Sequence, residues 1–524
     1  MRYMIIGKIL GLLLAVFSVI ATAPAIVVAL IYQENTLLNF AASFASLFLA
    51  GALLWSLCKG AKSDLRNRDG FLITVLFWTV LSLAGSLPLV LDSNLNLSMT
   101  DAIFESVSGL TTTGATVISG LDDLPKSLLF YRQLLQWMGG IGIIVLAMAV
   151  LPFLGVGGMQ LYRAETPGPM KDTRLAPRIV TTAAVLFSIY SALTLACAVA
   201  YYAAGMNAFD AISHAFSTIA IGGFSTKDAS IGYWDSAAIE TVAMVFMVLA
   251  GINFALHFAS FKTLKTGLAP GWGRARSLPS FTHYWRDSEA RGYLIFLSML
   301  TLVVVLVLIT TGTYEPTEAL RRGAFEAISV ATTTGFATAD YASWPTFLPF
   351  LLLMSAFAGA CAGSTGGGIK QIRMMLLFKQ GFREVRQLIH PNAVIPVKVG
   401  GKSVPESVVS SIWGFLAAYI FVFALLMLTM IALGTDPITA YSAVGACLNN
   451  LGPGLGEVAL TRLTGGRRKI RAVLGHVTRT LGAVYLAGHP DSGILAHLIR
   501  ARLTLGLGLK PFVFQLILLW ITPN

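Results

Sequence analysis

Apolar stretches long enough to cross a hydrocarbon core recur along this chain, near residues 4–32, 38–58, 71–91, 127–155, 179–204, 235–261, 293–312, 346–380 and 407–434. Each supplies the roughly 20 residues a spanning helix requires, and the longer ones must tilt or bend. The connections alternate in charge. Those around Lys59–Arg68, Arg163–Arg178, Lys262–Arg291 and Lys370–Lys402 are basic, whereas those near Gln33–Asn35, Asp92–Asp101, Asn207–Asp210 and Thr313–Glu318 are short and neutral or acidic. Excess Lys and Arg mark cytoplasmic loops, so the pattern predicts an N-terminus and basic loops on the inner side. The first stretch has a basic start, is too long for a signal-peptide core and precedes no small-residue cleavage site, so it reads as a retained span. The predicted fold class is an all-α polytopic membrane protein.

Between successive spans lie segments too short to cross and too apolar to be ordinary loops: DAIFESVSGLTTTGATVISG (101–120), FDAISHAFSTIAIGGFSTKD (209–228), EALRRGAFEAISVATTTGFATAD (318–340) and DPITAYSAVGACLNNLGPGLGE (436–457). Each begins near an acidic residue, continues with small and apolar residues at helical spacing, and ends in a Thr/Asn- and Gly-rich stretch. Aligning those endings puts Gly114, Gly223, Gly335 and Gly452 in register, at intervals of 109, 112 and 117 residues. A period near 110 residues is an internal duplication of span, re-entrant hairpin and span. Non-helical backbone survives inside a bilayer only when buried in protein or lining a wet cavity. Four such strands converging on one axis present rings of carbonyl oxygens that replace the hydration shell of a cation. The candidate ion-binding residues are therefore Thr112, Thr113 and Gly114; Ile221, Gly222 and Gly223; Thr333, Thr334 and Gly335; and Asn450, Leu451 and Gly452. Helices entering from outside point their partially negative C-terminal ends inward, which favours a cation over an anion.

Composition agrees. Hydrophobic residues make up 56% of the 524 positions and charged ones 12%, with a mean hydropathy of +0.74, which excludes a soluble globular domain, a disordered chain and a disulfide-stapled secreted one. Cys58, Cys197, Cys361 and Cys447 sit far apart in apolar segments and read as small core residues. The formal charge of +12 invites a nucleic-acid reading, but residues 459–524 hold nine Lys/Arg against one acid, which leaves +4 for the rest. No nucleic-acid partner is expected; the surrounding partner is lipid.

These motifs identify a resemblance. TTTGAT, TIAIGGFST, TTTGFAT and NNLGPGLG, with RQLLQWMGGIGIIVLAMAVLPFLGVGGMQLYRAE after the first hairpin, make residues 1 to about 458 similar to the TrkH/TrkG/KtrB family of potassium-uptake membrane subunits. The resemblance implies potassium translocation through a pseudo-fourfold pore with one filter per chain, two extra N-terminal spans, a homodimer, and a cytosolic nucleotide-binding regulatory partner of TrkA type. It implies no cofactor in this chain and no catalytic residue, with potassium held by the filter backbone. TTTG and IGGF are less regular than the TVGYG ring of tetrameric potassium channels, which implies less strict discrimination against sodium.

The apolar run near 346–380 is interrupted by SAFAGACAGSTGGGIKQIR (355–373), whose glycines cannot propagate a helix. Gly359, Gly363, Gly366, Gly367 and Gly368 are read as a flexible intramembrane loop beneath the filter that gates the pore, as in the resembled family. Among ionisable groups, Glu105 and Glu326 fit two readings: bracing the filter backbone, or attracting cations in an outer vestibule. His214 is read as a packing residue rather than a proton relay. Arg274, Arg276, Arg286, Lys370, Arg373, Arg383 and Arg386 serve topology or suit a docking partner, and Trp234, Trp285 and Trp344 read as interface anchors.

The organisation expected is two extra N-terminal spans (1–69), pore repeats at 70–177, 178–291 and 292–405, a fourth reduced to its first span and pore loop (406–458), and an atypical basic tail (459–524). In the tail, TGGRRKIRAVLGHVTRT stands where a closing span should begin, and its charge breaks the rule obeyed elsewhere. A change of reading frame near residue 459 is the expectation. Against potassium uptake stand a secondary transporter of another small solute using re-entrant hairpins, and an integral membrane enzyme, for which no nucleophile–base cluster is present.

Overall fold

The computed structural model describes residues 3–60, 67–142, 179–266, 282–345 and 347–458. The tail 459–524, the second half of the apolar run near 127–155, and Arg274 and Arg276 lie outside these residues. Within them, five helices are long and apolar enough to cross a membrane, and a sixth forms if one bent pair is counted as a span.

The first span, Tyr3–Ile31, carries a single π-helical turn at Ser18–Thr22 just ahead of Pro24. Proline offers no N–H to the preceding turn, and within that turn the Thr22 hydroxyl donates to the Ser18 carbonyl at 2.5 Å. The second span, Leu37–Leu57, crosses it where Gly11 meets Gly51; a Cβ on Gly51 would stand 2.6 Å from the Ala15 nitrogen. Lipid tails give apolar helices no reason to separate from solvent, so close backbone approach through small residues supplies the packing. This pair leans on the first repeat: Glu34 accepts from the backbone of Lys126 and Ser127 at 2.6 and 3.0 Å, capping the helix Lys126–Gly140.

Four short pore helices follow the same construction: Met99–Leu110, Ala208–Ala220, Pro316–Thr332 and Pro437–Asn449. Ser98, Asn207 and Asp436 cap the first, second and fourth by accepting from backbone N–H groups in the first turn. The third and fourth have proline in the first turn, where its missing donor costs nothing.

Two spans are broken, one of them against expectation. The run near 235–261 is not continuous: Ala237–Ala250 and Phe254–Ser260 meet at 96°. Asn253 starts the second half by accepting from Ala255 N at 2.8 Å, and the vacated backbone groups are taken by another segment: Cys361 N donates to Gly251 O and Phe254 N to Gly363 O. The run near 346–380 splits as its glycines imply, into Leu348–Ala358 and Gln371–Ile389. A two-residue antiparallel ladder, Lys398–Val399 with Lys402–Ser403, is a small departure from an all-α chain, turning on Gly400 and Gly401 at φ of +57° and +80°. The long span Glu406–Ala432 then leads to the fourth pore helix.

Candidate functional site

Each pore helix ends in the same way. A left-handed residue follows it, Ile221 at φ +53°, Thr333 at +69° and Asn450 at +55° directly after the helix and Thr112 at +58° one position later, after Thr111. The next N–H then reaches back five residues: Thr113 to Ser108 O, Gly222 to Ser217 O, Thr334 to Ser329 O and Leu451 to Ala446 O, at 2.8–2.9 Å. This is the six-to-one closure of a Schellman end. Glycine is its usual occupant, and a β-branched residue there costs about 1–3 kcal/mol of backbone strain. Four non-glycine residues held in this way are over-determined by their surroundings.

Two positions on, Gly114, Gly223 and Gly335 return to positive φ of +80°, +80° and +82°. Alternating left- and right-handed residues turn successive peptide planes the same way, as a carbonyl-lined conduit needs. The fourth strand differs: Gly452 precedes Pro453 and is absent from the left-handed set. The glycines are also required by space. A Cβ on Gly114 would clash with Gly222 O, and one on Gly223 with Thr334 O. One on Gly335 would stand 2.7 Å from Pro453 Cδ, and one on Gly452 2.7 Å from Gly114 O. First strand touches second, second third, third fourth, and fourth first. The twelve residues singled out by spacing therefore lie in one closed ring.

Side chains tie neighbouring members of that ring. Asp228 accepts from Gly120 N and Leu121 N at 3.1 Å, joining the second repeat to the first. Gly232 N donates to Ala337 O at 3.0 Å and Ala337 N to Ser230 Oγ at 3.2 Å. Tyr341 donates to Pro453 O at 3.4 Å, and Asn450 Nδ2 to Thr111 O at 2.8 Å. On the outer surface, partial burial works against the Lys227 ammonium, yet Asp122 at 3.1 Å holds it above the ordinary lysine range.

Behind the strands stand the ionisable groups. Glu105 accepts from Thr116 Oγ1 and Val117 N at 2.9 and 3.0 Å and pairs with Arg132 at 2.7 Å, both side chains 1% exposed or less. Glu326 accepts through Oε1 from Thr338 N and Ala339 N at 2.7 and 3.0 Å. Both carboxylates are buried and hold backbone, so the geometry is that of a brace and excludes an outer-vestibule role. His214 occupies the equivalent place in the second repeat, nine residues before its filter glycine like the other two, and its ring bonds Asp210 O and Ser225 Oγ. That equivalence was open to sequence reading through the spacing to the glycine alone. Ala443 stands there in the fourth repeat.

Arg132 and Gln136 carry filter contacts that the spacing of the hairpins does not reveal. Arg132 also reaches Thr116 Oγ1 at 3.0 Å and lies 4.3 Å over the Phe224 ring, spanning the first and second strands. Gln136 donates to Gly222 O at 2.7 Å and accepts from Phe224 N at 3.0 Å. Their signal is two polar residues one helical turn apart within a span.

The glycine-rich loop lies directly beneath this ring. Thr365 Oγ1 donates to Ile219 O at 2.9 Å, Gly367 N to Thr333 Oγ1 at 2.6 Å and Gly368 N to Asn449 O at 3.0 Å. It thereby touches the ends of three pore helices. Gly359, Gly363 and Gly368 take φ of +65°, +76° and +72°. A Cβ on Gly367 would clash with Asn449 O and one on Gly366 with Ala360 Cβ. Two further expectations are corrected. Lys370 and Arg373 are buried against the loop's own carbonyls, so they offer no docking surface, and Arg383 is taken by Glu406 at 2.7 Å. Trp344 is 4% exposed and packed in the core, which excludes it as an interface anchor.

The family model described as TrkH, cation transport protein, matches residues 36–477. The chain belongs to the TrkH family. The Trk system potassium uptake protein TrkH of Vibrio parahaemolyticus is 55% identical over 461 residues, covering 88% of this chain and 92% of that one. TrkH of Escherichia coli K12 is 51% identical over 460 residues with the same coverages, and TrkG of that strain 42% over 457 residues, covering 87% and 90%. The crystal structure of the potassium transporter TrkH from Vibrio parahaemolyticus superposes with a TM-score of 0.80 at 46% identity, covering 100% of this chain and 99% of that one. Family and fold together make this a multi-span membrane transport protein of the TrkH type and not an enzyme.

Proposed function

We propose that this chain carries potassium into the cell across the cytoplasmic membrane. The ion exchanges its water for main-chain oxygens at 112–114, 221–223, 333–335 and 450–452. One observation carries the reading: four helix ends of identical construction close a ring in which each filter glycine abuts the next strand. The membrane potential favours entry by about 2.3 kcal/mol per charge per 100 mV, whether or not a proton accompanies the ion. The loop Gly359–Gly368 acts as the gate, because any path down the ring's axis meets a segment bonded to three pore-helix ends. The relatives are potassium uptake proteins, and none among those compared supports a carrier of another small solute.

The finer proposals rest on the family resemblance and the charge pattern: an N-terminus inside, a homodimer, a nucleotide-binding cytosolic partner of TrkA type, and repeats bounded at 70, 178, 292 and 406. Residues 459–524 read as an out-of-register tail, and the coding DNA decides this: a single-base shift must restore an apolar closing helix. The function itself is tested by rubidium flux into proteoliposomes. Potassium should compete, sodium should compete weakly, and organic solutes should not compete. Uptake of an organic solute with no rubidium flux would overturn the reading.

A further inference from the structure

The loop is held from above by neutral hydrogen bonds to the pore-helix ends. From below it is held by one carboxylate that belongs to a different helix. Glu289 Oε1 accepts from Ala362 N at 2.6 Å and from Ile372 N at 3.1 Å, so a single oxygen gathers the two feet of the loop. Main-chain pairs narrow the same neck: Ile369 N donates to Phe357 O at 2.9 Å and Gln371 N to Ala360 O at 3.1 Å. Above the neck, the Lys370 ammonium turns back onto Gly366 O at 2.5 Å.

Glu289 lies in the first turn of Ser288–Thr310, the first span of the third repeat. A carboxylate in that place ordinarily serves its own helix terminus. Here Asp287 does that work, accepting from Ala290 N at 2.8 Å, which leaves Glu289 free to reach the loop. The first turn of the span is the end of the basic connection Lys262–Arg291. Any displacement of its inner end is therefore transmitted to both feet of the loop at once. We propose that Glu289 is the latch of the gate: its carboxylate keeps the loop seated under the ring, and movement of the inner end of Ser288–Thr310 releases it. Glu289 is thus a positioning residue, acting on ion flow only through the loop, and its role rests on the reading of that loop as the gate.

The test uses the full chain in proteoliposomes with no regulatory partner added. Glu289→Ala removes the acceptor and should raise basal rubidium flux several-fold. Glu289→Gln retains an amide oxygen able to accept both N–H groups and should stay close to the starting level. Flux through Glu289→Ala no higher than in the unaltered chain overturns the latch, as does equal leakage through Glu289→Gln. If Glu289→Ala does not fold, Glu289→Asp takes its place, since it draws the oxygen back by one methylene. Hydrogen exchange at residues 359–372 must then accelerate, and unchanged exchange overturns the proposal. Deleting Gly366–Gly368 tests the gate by itself. If that deletion opens flux while Glu289→Ala does not, the latch fails and the gate stands; if neither changes flux, the gate reading falls and takes the latch with it.

Discussion

The first and third repeats brace their filter strands with a glutamate at the same position, but only one of them is answered by an opposite charge. Glu105 meets Arg132 at 2.7 Å and uses both oxygens. Glu326 has no basic partner within salt-bridge distance among the described residues, and its Oε2 lacks a hydrogen bond. Arg322, one turn before it, is engaged elsewhere, by Glu318 at 2.7 Å and Thr338 O at 3.0 Å. A buried ionised carboxylate without a counter-charge is expensive, whereas a neutral one leaves a smaller debt. The first brace therefore depends on ionisation and the third on the acceptor alone. Arg132 also reaches the second strand, so the first brace serves two strands and the third serves one.

Substitutions can break or sharpen this contrast. The largest effect is expected from the glycines. Gly114→Ser drives a side chain into a main-chain oxygen at positive φ and should abolish rubidium uptake. Gly335→Ser meets the more yielding Pro453 ring and should keep measurable flux with poorer rejection of sodium. Uptake assays with and without sodium compare the two, and equal loss would remove the difference. Next comes Arg132→Ala, which strands Glu105 and should cost about 3–5 kcal/mol in stability, read as a lowered thermal midpoint in detergent together with lost uptake. Converting both partners, Glu105→Gln with Arg132→Met, should recover part of that stability without restoring full uptake, because the tie to the second strand is gone. The smallest effect is assigned to Glu326→Gln, whose amide oxygen can still accept from Thr338 and Ala339. It should retain most uptake in cells dependent on this protein for potassium, where Glu105→Gln should not. Equal behaviour of the two glutamine variants would show that the missing counter-charge is immaterial.

The features open to sequence reading were those repeated within a local stretch. Re-entrant turns and filter glycines recur with a period near 110 residues because each hairpin is a self-contained solution to ending a helix inside a membrane. The interrupted run before Lys370 was legible for the same reason, as glycine density is a local property. Contacts that cross from one repeat to another were not. Arg132 and Gln136 lie in the first repeat but complete the second strand, and nothing near either signals Gly222 or Phe224. The bend at Gly251–Asn253 arises because the loop of the third repeat inserts there, so its cause lies more than a hundred residues downstream. Lys370 and Arg373 resemble surface charges in a basic stretch, and only the folded neck of the loop shows them turned inward. Trp344 looked like a membrane-surface anchor because a span end and a buried corner share the same local composition.

Because one polypeptide supplies the whole ring, the ring has a seam, where the Asn450 amide meets the Thr111 carbonyl across 339 positions of chain. During synthesis the first three quarters of the circle are complete long before that junction can form. Only the last hairpin, meeting the first strand through Asn450 and Gly452, turns that open arc into a closed circle.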